Sequence, residues 1–353
     1  MKILDVRSLV AWAAAGWSAL YGVMAAVWWG GGGEFPFAPV ADDRSSASIL
    51  EGTPAAVVAP VMVLVCALAT AVAVYLAAGG PGRAAIWFGW GLAAVLALLL
   101  PDYSLLAFVA FAPVLVVFAF TGVPGPQDGV GDIMYWHRTN LLILFAGGLL
   151  WAAAALLAGR HARGVCVRCG GSARPEGDLR RWGRRAVLVA VLAPIPYEVT
   201  RLAWYFGVPL GVPAGFLAEM RATPGMLEVG LGCAVLSIGG GVLTHGLVSS
   251  WGERYPRWLF WKAGRRVPPM LAVVPAMVVA VVLIPAGLMN LRLPVTAATW
   301  GLTAPGILWI VWGVALGAAA VTYHLRRRPP CRHCLRPEPA PRSVAAGGAA
   351  SGT

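Results

Sequence analysis

Residues 55–78 read AAVVAPVMVLVCALATAVAVYLAA, an unbroken run from Ala55 to Ala78 without a single charge. A helix rises about 1.5 Å per residue, and a membrane span needs roughly 20 apolar residues, so this run is long enough to cross a bilayer. Leu141–Ala158 is a second such block. The rest of the chain keeps the same character: 353 residues, 59% hydrophobic, 12% charged, mean hydropathy +0.74. Soluble domains carry roughly 25% charged residues. Half that charge cannot cover a water-soluble core, which excludes a soluble enzyme, a disordered scaffold and a disulfide-rich secreted module. The expected fold class is all-α, a polytopic helical membrane protein.

Nine stretches are apolar: Ser8–Trp29, Ala55–Ala78, Ala84–Leu100, Tyr103–Val123, Asn140–Gly159, Ala186–Gly207, Met226–Ser249, Met270–Leu291 and Leu302–His324. The first is full length and ends in Trp28 and Trp29, which suits a retained helix and not a cleaved signal peptide. The formal charge is +12, and 19 of the 27 basic residues fall in Arg160–Arg185, Ser250–Pro268 and Leu325–Thr353 with only four acids. Basic residues gathered in short loops beside apolar spans mark the cytoplasmic side. That pattern argues for a bacterial plasma membrane with anionic lipid headgroups at the basic loops, and against nucleic-acid binding.

Three landmarks recur in order. Tyr21-x6-Trp28 matches Tyr197-x6-Trp204, and Arg83-x3-Trp87-x2-Trp90 matches Arg254-x3-Trp258-x2-Trp261. Cys166-x2-Cys169 matches Cys331-x2-Cys334. The repetition divides the chain into a first membrane repeat, 1–175, a second, 176–335, and a tail, 336–353, whose composition suits disorder. In register, Ala84–Leu100 falls on the charged segment Tyr255–Pro268, so it is expected to lie in the interface or to be re-entrant, with Tyr103–Val123 as the span. The count is then eight spans in two parallel repeats, both termini cytoplasmic. Nine spans is the alternative.

The strongest chemical signal is the two C-x2-C pairs, Cys166, Cys169, Cys331 and Cys334. Two thiolates three residues apart chelate one metal from a tight turn, and two such turns complete a tetrahedral zinc site. Neighbouring arginines are expected to lower the thiol pKa. A redox pair or unliganded thiols are the other readings. Cys66 and Cys233, inside apolar helices, read as packing residues.

Glu198 and Arg201 are a second signal. Ionisable residues within a span are functional candidates, and their i, i+3 spacing places them on one helix face, able to neutralise each other. They are candidates for a substrate or ion path, or for a structural salt bridge. Glu228, Asp102 and Trp136-His137-Arg138 read as helix-end residues, and Gly239-Gly240-Gly241 as a site of close helix contact. No motif for an enzyme is present, so none is expected.

Through Trp136-His137-Arg138, Pro196-Tyr197 and Trp251–Pro268 the chain resembles multi-pass membrane proteins of high-GC actinobacteria, a resemblance that implies a membrane fold and carries no activity. The expected role is a small-solute or ion transporter or permease-like subunit. The alternative is a structural, sensory or assembly protein with a cytoplasmic zinc module and a protein partner yet to be found.

Overall fold

The computed structural model describes residues 5–39, 48–80, 82–110, 112, 135–171, 176–255, 262–328, 331 and 334. The fold is all-helical, as expected, with no strand among these residues. The helices are α1 (Val6–Trp29), α2 (Ala55–Ala77), α3 (Arg83–Ala94), α4 (Ser104–Ala110), α5 (Trp136–Ala162), α6 (Glu176–Leu192), α7 (Ile195–Tyr205), α8 (Ala214–Ala222), α9 (Met226–Gly246), α10 (Pro269–Asn290), α11 (Trp300–Ile307) and α12 (Trp309–Arg327). Seven segments are long and apolar enough to cross a membrane: α1, α2, α5, α6 with α7, α9, α10, and α11 with α12. This is a polytopic membrane protein. The landmarks Trp258 and Trp261, the loop acids Asp42 and Asp43, and most of Tyr103–Val123 lie outside the described residues.

The interfacial reading of Ala84–Leu100 is corrected. Ala84–Leu100 does not lie flat. α3 continues through a π-helical turn, Val95–Leu99, and bends by 69° into α4. It runs antiparallel along α5: Ile86 is the near neighbour of Gly159, Ala155 of Gly89, and Ala97 of Gly148. Its start lies beside Tyr75 at the end of α2, and just past its end Asp102 accepts from Ser48, which in turn meets His137, at the far side. The physical reason is its composition. An apolar run of this length gains more by burying Gly89, Ala93, Leu96 and Ala97 among helices than by lying half-wet in an interface. α3, the π-helical turn and α4 thus form a broken span or a re-entrant loop, the second being one of the two forms expected, and most of Tyr103–Val123 lies outside the described residues. At the ends of the register partner of Ala84–Leu100 in the second half, Arg254 forms an isolated antiparallel bridge with Arg266, and Tyr255 N–H donates to the Arg265 carbonyl.

Two larger packing centres, with a smaller third around Trp204, Val212 and Leu217, hold the described helices together. One joins α1, α2, α3 and α5 around Ala14, Tyr21, Leu76, Leu144 and Trp151. The other joins α6, α10 and α12 around Val187, Leu283, Leu316 and Tyr323. Small residues set the approach. A Cβ on Gly148 would meet the Ala97 backbone nitrogen at 2.7 Å, and one on Gly313 the Ala280 carbonyl at 2.6 Å. The Gly239-Gly240-Gly241 run does not do this, because nothing lies within 4 Å of any of the three added Cβ positions. α9 packs on α6 and α7 through its other face, with Ala234, Ser237 and Thr244 buried.

Antiparallel packing of α1 with α2, α3 with α5, α7 with α9 and α10 with α12 puts Arg7, Arg83, the cysteines and the end of α12 on one face. There Arg326 donates to the Leu247 carbonyl at 2.7 Å, and Arg327 to the Val267 carbonyl at 3.0 Å. The basic segments thus converge, their guanidinium groups satisfying the backbone of the loop that joins α9 to α10.

Candidate functional site

At the end of α5 the helix stops at a turn, and Cys166-Val167-Arg168-Cys169-Gly170 folds into a knuckle. Gly170 N–H donates to the Cys166 carbonyl at 2.7 Å, and Gly170 takes φ +77°, a left-handed turn that glycine accepts without cost to a Cβ. Past α12, Cys331 and Cys334 form a second turn, closed by Cys334 N–H on the Cys331 carbonyl at 3.0 Å. The four sulfur atoms lie within 4.8 Å of one another, and Cys169 Sγ is 3.5 Å from Cys334 Sγ. Tetrahedral coordination at about 2.3 Å puts sulfurs about 3.8 Å apart, inside this range. The cluster can hold a metal ion. Each half of the chain contributes two ligands.

Arginines support the site through the backbone. Arg328 donates to the Cys169 carbonyl at 2.7 Å and the Gly171 carbonyl at 3.4 Å, tying the end of the second half to the first knuckle. Arg160 donates to the Val167 carbonyl at 2.9 Å. The expectation that arginine charge lowers the thiol pKa is corrected accordingly. Cys166 is lowered to about 6, chiefly because the Cys169 and Arg168 backbone amides donate to its sulfur. Cys334 is pushed up to about 12, because its thiol shares hydrogen bonds with Cys169, Cys166 and Cys331, which ionisation would break. One thiolate among hydrogen-bonded thiols is the state from which a soft cation would displace the remaining protons.

No protein-family model, curated protein or solved structure matches the chain.

Glu198 and Arg201 stand on α7, after a break at Ala193 and Pro194. Pro194 and Pro196 lack the amide hydrogens that would bond the carbonyls of Ala190 and Leu192, which lets the segment bend. The two side chains do not pair. Glu198 accepts from Ser237 Oγ on α9 at 2.7 Å. Arg201 donates through Nη1 to the Gly301 carbonyl at 3.2 Å, and its guanidinium carbon sits 4.6 Å from the Tyr197 ring centroid and 4.1 Å from that of Trp204. Both stacking residues belong to the same helix, at i−4 and i+3, and they hold the guanidinium sideways along α7 before it can reach Glu198. Arg201 lines a half-open cavity of 440 Å³ with Tyr197, Trp204, Phe216, Glu219 and Cys233; Glu198 does not. Cys233 is thus a wall of this cavity, whereas Cys66 is buried in packing.

A third polar group was not legible as a unit in the sequence. Ser48 Oγ donates to Asp102 Oδ2 at 2.6 Å and lies 3.1 Å from His137 Nε2. His137 Nδ1 is 2.7 Å from the Pro36 carbonyl. All three side chains are buried, Asp102 completely. Asp102 is a helix-end residue as expected, accepting from Ser104 N–H at 2.8 Å at the start of α4, and with His137 it also belongs to one buried network that pins the α1–α2 loop to α5. The Ser–His–Asp composition suggests a nucleophile, but the connectivity differs: the carboxylate holds the serine, and the histidine is held by a carbonyl. In a hydrolytic triad the carboxylate orients the histidine.

Proposed function

We propose that the protein is a plasma-membrane transporter or permease-like subunit for a small solute, with its two halves clasped on the cytoplasmic side by one structural zinc ion. The observation that carries the solute role is the 440 Å³ cavity opening onto Arg201, a cation inside a span with no carboxylate partner among the described residues. Intramembrane ionisable residues that face a cavity mark substrate pathways. Four cysteines fit zinc better than a hard cation, since thiolates select soft or borderline metals. Reduced cytosolic conditions favour a metal over a disulfide, and the convergence of all three basic segments on the cysteine face supports placing that face in the cytoplasm.

The pattern of neighbours supports a duplicated ancestry. α1 packs on α2 and α5, as α6 and α7 pack on α9 and α6 on α12. The bridge between Arg254 and Arg266, where the first half has α3, counts against a strict repeat.

Elemental analysis of the purified protein tests the clasp: one zinc per chain is expected, lost in Cys331→Ser with Cys334→Ser. Uptake of a set of labelled solutes by cells carrying wild type or Arg201→Met tests the solute role. A second reading, a structural or assembly protein whose metal module meets a partner, is favoured by the exposure of Cys334 on the basic face. Equal uptake of every solute with and without the protein would leave that reading in place.

A further inference from the structure

The Arg201 cavity has a chemistry of its own. Its lining carries one guanidinium, whose carbon lies 4.6 Å from the Tyr197 ring centroid and 4.1 Å from that of Trp204. Nη1 is occupied by the Gly301 carbonyl and, at 3.5 Å, by Thr200 Oγ1. The titratable groups that act on it are the Tyr197 hydroxyl, which accepts a hydrogen bond from the guanidinium, and the Cys233 thiol. No hydrogen bond to a carboxylate, and no ion pair, involves Arg201 among the described residues. A guanidinium carries five N–H donors in a planar fork, so donors remain on Nε and Nη2. With the Tyr197 hydroxyl taking one of these, the rest of the fork is left for a carboxylate, which binds a guanidinium side-on.

The walls above it are apolar: Phe216 and Met220 from α8, Met226 and Leu227 from α9, and Leu302 from α11. The one acid in the lining is Glu219, which is exposed. A smaller cavity of 240 Å³ next to it, sharing Met220, Thr223 and Leu227, holds Arg221 and Glu228, whose charges offset each other. The lining of the main cavity therefore sums to zero charge, a half-buried cation with an exposed anion. Such a site favours a single negative charge and opposes a polyanion, which Glu219 would repel. The cavity falls within the range of about 300–1,000 Å³ typical of small-molecule sites.

We propose that this cavity binds a small organic monoanion, a carboxylate with an apolar body, the carboxylate on the edge of Arg201 and the body against Phe216, Met226 and Leu302. This names the solute class for the transport role proposed above and rests on it only for the word solute; binding itself is independent of transport.

Phenylacetate is a suitable probe, with phenylacetamide as its uncharged counterpart and inorganic phosphate as a compact, more highly charged anion. Binding to the purified protein is read by tryptophan fluorescence and thermal shift. Phenylacetate is expected to bind saturably and at least tenfold more tightly than phenylacetamide, with phosphate giving no saturable signal. Arg201→Met should weaken phenylacetate tenfold or more and leave phenylacetamide unchanged. Because Arg201→Met could fail to fold, Met220→Trp, which fills the cavity from α8 without touching Arg201, should also abolish binding. Glu219→Gln should tighten phenylacetate and admit phosphate. Equal binding of acid and amide, preference for phosphate in the wild type, or undiminished binding in the folded Arg201→Met or Met220→Trp protein would overturn the proposal. Phenylacetate binding without its movement into proteoliposomes would uphold this site and remove the transport role.

Discussion

Cys169 and Cys334, 165 residues apart in the chain, bring their sulfur atoms to 3.5 Å. Helices α6 to α12 lie between them, so the contact is a statement about how the second half returns to the first. Arg328 strengthens it by donating to the carbonyl of Cys169 itself.

In metal-free protein, alkylation by iodoacetamide should therefore single out Cys166. Its pKa lies near 6 because backbone amides hold the thiolate. The thiolate is present above that value and lost as pH falls through it, so the rate should reach half its plateau near pH 6. Cys334, raised to about 12, should stay protonated and slow across the neutral range. Mass-spectrometric mapping over pH 5–9 reads both, and zinc should protect all four cysteines. A half-plateau near pH 9 at Cys166 would contradict the knuckle geometry.

Glu198 and Arg201 should behave as independent sites. Glu198→Gln weakens a charge-assisted bond to Ser237, worth roughly 1.5–3 kcal/mol, while Arg201→Met removes two stacking contacts and one carbonyl bond. Their effects on thermal stability should add, within about 0.5 kcal/mol. A double variant much more stable than the sum would restore the ion pair that the i, i+3 spacing suggests.

Ser48, Asp102 and His137 should show the opposite behaviour. Ser48→Ala removes one donor from a buried carboxylate that also accepts from Ser104 N–H, a loss of roughly 1–3 kcal/mol, and Asp102→Ala in the same background should cost less than in wild type. Thermal unfolding of the singles and the double measures the coupling. Simple additivity would mean that the network does not hold the α1–α2 loop.

Glycine substitutions separate contact from open surface. Gly148→Ala and Gly313→Ala meet backbone at 2.7 and 2.6 Å and should each lose about 1–3 kcal/mol by overpacking. Gly240→Ala meets nothing and should gain about 0.5–1 kcal/mol from helix propensity. Melting temperatures of the three variants decide it.

These contrasts show what is local and what is not. Uncharged runs such as Ala55–Ala78 determined by themselves that the chain is a helical membrane protein, because burying a charge-free surface of that length has one inexpensive solution. The spacing Cys166-x2-Cys169 and Cys331-x2-Cys334 likewise announced two chelating turns, since a knuckle is built from its own five residues. What lies between elements was decided by the fold. Only packing against α5 showed that Ala84–Leu100 stands upright, because apolarity alone does not distinguish an interfacial helix from one that enters the bundle. Only Tyr197 and Trp204, competing for the same guanidinium, separated Arg201 from Glu198, and Ser237 on another helix took the carboxylate. The meeting of Ser48, Asp102 and His137 depends on three distant segments closing over one another. A side chain's choice among partners is an energy difference between contacts, and contacts across a bundle exist only once the chain has folded.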